Sequence, residues 1–132
     1  MNRQKIITLA RLLLGLIFFT FGLNGFLNFM AVPPMPTDAM SFMMGLANAK
    51  YFFPFLKAAE TLCGALLLAN LFVPLALTIL APILLNIILF HAFLSPAGIG
   101  LPIALAILNL FLAWTYRENF KPMLEKRPTP SE

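Results

Sequence analysis

Apolar positions along this chain gather into four long stretches, about 5–29, 52–70, 74–94 and 101–116. Segments rich in proline, glycine and polar residues separate them. A hydrocarbon layer of about 30 Å is crossed by roughly 20 helical residues, so each stretch predicts one membrane-spanning helix. The first begins among Arg3, Lys5 and Arg11, as a signal peptide would. Its apolar run continues to Met30 with no small-x-small cleavage site after it, and it is expected to be a retained span.

The separators define the organisation. Between the first two spans, Val32-Pro33-Pro34-Met35-Pro36 cannot be helical, because its prolines lack backbone donors and fix φ. Thr37 or Asp38 then offers an N-cap for a short helix that would lie at the interface or fold over the bundle as a lid. Asn70 to Val73 is so short a link that the second and third spans must form an antiparallel hairpin. Pro74 suits the first turn of the third span, whereas Pro82 interrupts its interior and should kink it. Ser95 to Gly100 predicts a turn, and Trp114, Tyr116 and Arg117 predict an interfacial anchor closing the fourth span. In the first span, Gly15, Gly22 and Gly25 would permit close helix approach. The expected fold is therefore an all-α membrane protein: a four-transmembrane-helix antiparallel bundle over residues 1–120, followed by a polar tail over 121–132.

Composition agrees with this pattern. Of 132 residues, 61% are hydrophobic and 11% charged, too much apolar surface for so small a soluble domain to hide. The net charge of +4 does not point to nucleic acid, because the basic residues flank the first and last spans and no basic patch interleaved with aromatics lies between those flanks. Arg3, Lys5 and Arg11 at one end and Arg117, Lys121, Lys126 and Arg127 at the other outweigh Lys50 in the long loop, so both termini are expected to be cytoplasmic. A single cysteine, Cys63, excludes an intrachain disulfide and a CxxC motif.

Candidate chemistry centres on Lys57 and Glu60. A charge at membrane depth costs roughly 3 kcal/mol on insertion scales, so it turns inward and finds a partner. Residues three apart on a helix are neighbours, so these two can partner each other. Glu60 would lie about 12 Å below the outer end of its helix by helical rise. With the predicted topology, Asn24, Asn28, Asn86 and His91 also fall in the outer halves of their helices, and Asn109 somewhat deeper. The candidate catalytic set is Glu60, Lys57 and His91. Asn24, Asn28, Asn86 and Asn109 are candidate ligand-binding amides, able to donate and accept hydrogen bonds. Such amides also serve as interhelical struts, worth about 0.6 kcal/mol each. One histidine and one cysteine give no zinc or haem spacing, and no metal site is expected. Met30, Met35, Met40, Met43 and Met44 cluster around the loop; thioethers suit Cu(I), but the preferred reading is that these adaptable apolar side chains line a lid or touch lipid.

Three runs resemble the DoxX-like family of small four-helix bacterial membrane proteins. They are Arg11-Leu12-Leu13-Leu14-Gly15 continuing to Phe21-Gly22-Leu23-Asn24-Gly25-Phe26, then Lys57-Ala58-Ala59-Glu60-Thr61-Leu62-Cys63-Gly64, and Pro82 to His91. The resemblance implies a multi-pass protein of the bacterial inner membrane, linked to redox processes, in some members to quinone-linked sulfur oxidation and in others to oxidative-stress or metal-related complexes. Two function classes follow. One is a redox-linked subunit whose outer-half pocket binds a quinone-like or other small ligand, with partner proteins in a membrane complex. The other is a non-catalytic assembly protein, alone or as a homo-oligomer, whose polar residues only stabilise the bundle. A transporter has little room in 132 residues, and no inverted repeat is visible.

Overall fold

A computed structural model describes all 132 residues. The chain folds into helices without a strand: α1 (Arg3–Leu27), α2 (Thr37–Asn48), α3 (Phe52–Ala69), α4 (Val73–Leu94), α5 (Gly100–Thr115) and the one-turn α6 (Arg117–Phe120). Helices α1, α3 and α4 are long and apolar enough to cross a membrane unaided. With 16 residues, α5 rises only about 24 Å. It makes a fourth span only together with Arg117–Leu124, from which a 79° bend separates it. At that bend the Arg117 guanidinium lies 4.5 Å from the centre of the Trp114 ring and donates to the Trp114 carbonyl at 2.9 Å. Tyr116 and Phe120 fold back against the core.

The pairing of α1 with α3 sets the frame. Gly15 meets Leu67 and Gly64, Gly22 meets Thr61, and Gly25 meets Lys57, so positions rise on one helix as they fall on the other and the pair is antiparallel. Contact is close enough to be main chain on main chain: a methyl group at Gly64 would overlap the backbone of Phe19, coming within 2.7 Å of its Cα. Glycine is what lets two helices approach this far when lipid supplies no hydrophobic drive for association.

Helix ends are closed within the protein. Asn70 adopts a left-handed conformation (φ 57°), its N–H donating to the Leu67 carbonyl while that of Leu71 reaches the Leu66 carbonyl. This pattern satisfies carbonyls that the end of α3 would otherwise orphan. Arg11 completes the closure. Its guanidinium donates to the Leu67 and Leu68 carbonyls, where the helix end carries partial negative charge. The first helix ends at Leu27, before the expected Phe29, because Asn28 turns left-handed (φ 52°) and the Asn24 carboxamide accepts the Met30 N–H at 2.7 Å. α4 runs unbroken through Pro82 to Leu94.

Packing divides the bundle across its length. The most deeply buried apolar side chains, Leu14, Leu67, Leu77, Leu80 and Leu112, gather between the carboxyl half of α3, the amino half of α4 and the carboxyl half of α5. The other half, where α2 lies across the mouth of the bundle, contains two cavities lined by Lys57, Glu60 and His91.

Candidate functional site

Lys57 and Glu60 stand on the second and third turns of α3, just past Pro54, which sits where the first helical turn needs no backbone donor. The aliphatic stem of Lys57 is seated on Gly25: a methyl group there would overlap its Cγ and Cδ, so the close α1–α3 seam fixes where the ammonium emerges. Thr61 Oγ donates to the Lys57 carbonyl at 2.7 Å. From this anchor Lys57 Nζ reaches Glu60 Oε2 at 3.1 Å. The Glu60 side chain is 4% exposed and that of Lys57 23%. The carboxylate thus sits inside the protein with its counter-ion beside it, and its Oε1 accepts no hydrogen bond from the protein.

His91 approaches from α4. Its Nδ1 lies 3.2 Å from the Ser95 carbonyl, and since a carbonyl only accepts, Nδ1 carries the proton there. In the neutral ring this leaves Nε2 as an acceptor. Gly98, in the turn before α5, makes room for the ring, because a methyl group at that position would stand 2.8 Å from Cε1. Phe90 packs edge-on against the imidazole with centroids 5.1 Å apart, and Phe42 of α2 packs on Phe90 at 5.7 Å. An aromatic chain therefore links α2 to His91.

Two cavities meet at these residues. The larger, about 410 Å³, is walled by Ile17, Phe18 and Phe21 of α1, Pro33 of the loop, and Leu101, Pro102 and Leu105 of α5. The smaller, about 170 Å³, lies beneath Phe42, Met43 and Leu46 of α2, with Phe52, Phe53 and Phe90 around it. Lys57, Glu60, Ile87 and His91 line both. The three ionisable side chains consequently form a partition between an aliphatic lobe and an aromatic one.

The candidate amides are distributed differently. Asn86 lines the smaller cavity from an exposed position on α4. Asn24 and Asn28 line neither cavity and instead close the end of α1. Asn109 is buried at 5% exposure in a separate apolar pocket of about 220 Å³ between α4 and α5, where its Nδ2 has no protein partner. The structure thus brings together Lys57, Glu60, His91 and Asn86. The aromatic lining from Phe42, Phe52, Phe53 and Phe90 carried no polar signal in the sequence. Cys63 is buried in α3 one turn below Glu60, within the apolar core.

A family model described as DoxX matches residues 6–94, two thirds of the chain. The matched stretch runs from α1 to the last residue of α4 and contains Lys57, Glu60, Asn86 and His91; the α5 wall of the larger cavity lies beyond it. No curated protein and no solved structure matches the chain.

Proposed function

The chain belongs to the DoxX family, and we propose that it is a redox-linked membrane subunit in which Lys57, Glu60 and His91 handle protons for a quinone-like, lipid-soluble ligand. The observation that carries this reading is the position of those three side chains between two cavities that are otherwise almost wholly apolar. A membrane protein has no packing reason to put a carboxylate, an ammonium and an imidazole around open space, and ionisable groups inside spans mark functional sites by default. The larger lobe has a volume within the roughly 300–1,000 Å³ range of small-molecule pockets.

The donor set fits a flat ring bearing carbonyl or hydroxyl oxygens. Lys57 Nζ keeps donors free after its bond to Glu60, Glu60 Oε1 is an open acceptor, and His91 Nε2 accepts while its Nδ1 is held by Ser95. A bound quinone would supply the couple of two electrons and two protons. The protein's residues would orient its oxygens, exclude water with the α2 roof, and exchange protons without leaving an isolated buried charge, since Lys57 and Glu60 compensate each other. On this reading the protein sits in a bacterial inner membrane with both termini cytoplasmic and the α2 roof outside, an orientation that the positive-inside bias supports.

The test is quinone co-extracted with detergent-purified protein. Glu60→Gln keeps the shape and removes the charge, and is expected to lower quinone retention at least about tenfold. Equal retention by the variant rejects the role of Glu60. The burial of the ion pair favours one competing reading, a non-catalytic assembly protein using Lys57–Glu60 as a strut. On that reading Glu60→Gln lowers thermal stability and partner recovery with no ligand lost.

A further inference from the structure

We propose that the outward face of α2 is a Cu(I)-binding site formed by the thioethers of Met35, Met40 and Met44. Helical spacing sorts α2 into two stripes. Ala39, Phe42, Met43 and Leu46 turn toward the bundle: Ala39 is fully buried, and the other three roof the smaller cavity. Thr37, Met40, Ser41, Met44, Gly45 and Asn48 recur at intervals of three and four along the opposite stripe, where with Met35 they line an open groove of about 550 Å³.

Packing does not explain these methionines. Met40 is 39% exposed and Met44 55%. A face meant only for lipid would have no use for the hydroxyls of Thr37 and Ser41 or the amide of Asn48 among its apolar positions. Met40 and Met44, one turn apart, have Cβ atoms about 5–6 Å from each other. Each side chain has three rotatable bonds, enough for both sulfurs to converge on one ion. Met35 enters the same groove from the proline segment before the helix, supplying a third sulfur from a different backbone direction.

The lining also selects the ion. It contains no imidazole or thiol for zinc and no carboxylate of the kind that anchors calcium and magnesium, whereas neutral thioethers favour soft Cu(I). No lysine or arginine lines the groove to repel a monovalent cation.

The experiment titrates the detergent-purified full chain with Cu(I) under anaerobic ascorbate, in competition with a chromophoric Cu(I) chelator, and reads the ligand atoms by X-ray absorption. One ion per chain with sulfur-dominated coordination is expected. Met40→Leu and Met44→Leu should each weaken binding at least about tenfold. Met43→Leu, on the opposite stripe of the same helix, should leave binding within about twofold of wild type. Wild type that retains no Cu(I), coordination dominated by nitrogen or oxygen, or equal weakening by Met43→Leu would each overturn the assignment. Glu60→Gln plays no part in this test, so its outcome is independent of the quinone reading.

Discussion

The two halves of α3 have opposite relations to their surroundings. In the carboxyl half, Cys63, Gly64 and Leu67 are buried against α1 and the apolar core, with Gly64 so near Phe19 that no side chain fits. In the amino half, Lys57 and Glu60 are held by the same seam on one side but border two cavities on the other. One helix thus serves as a strut along one half and as a cavity wall along the other. A close seam removes freedom from the backbone, and the charged groups carried on it are positioned before any ligand arrives. Positioning of this kind lowers the ordering cost that binding would otherwise incur.

The sharpest way to break this contrast is to force the seam apart. Gly64→Ala places a methyl group against the main chain of α1, which cannot swing aside as a side chain could. A loss above about 3 kcal/mol, beyond the usual range for overpacking, is expected in thermal or denaturant unfolding in detergent. An unchanged melting temperature would mean that the seam is loose and that the site has no rigid wall.

Next in size is the ion pair. Lys57→Met leaves Glu60 buried without its counter-ion and should cost about 3 kcal/mol, the lower end for such a loss because Lys57 is partly exposed. Adding Glu60→Leu should recover most of that stability while ligand retention stays lost. Recovery of both stability and ligand would show that the charges only hold the bundle together. The smallest effect is expected at the end of α1. Asn28→Ala strains the left-handed residue there and should cost about 1 kcal/mol, whereas Asn28→Gly should be nearly neutral. Neither change should alter ligand retention, because Asn28 lines neither cavity; a loss of ligand would extend the site to the end of α1.

Much of this was legible because it is local. A lysine and a glutamate three apart in an apolar run can meet on any helix, and the apolar stretches marked three spans that are long enough unaided. Position along the chain makes Asn24 and Asn28 candidate ligand-binding amides, whereas in the structure they close the end of α1. The available signal was asparagine's tolerance of left-handed backbone just before the Val32–Pro36 segment, which points to a helix end. Arg11 counts in the sequence only as one of the basic residues flanking the first span, whereas in the structure it bonds carbonyls at the end of α3. Those acceptors come from a segment some 56 residues away, so only the α1–α3 register could supply them.

Hydropathy and short-range spacing determined the helical membrane architecture and the Lys57–Glu60 partnership, because each depends on composition or on neighbours within one turn. Tertiary structure alone decided that His91 joins that pair while Asn109 faces a separate pocket. It also decided that four phenylalanines complete a divided chamber. The reason is geometric: the rotation of each helix about its own axis is set by the side chains it meets on other helices, and in spans this uniformly apolar the chain itself carries little record of that angle.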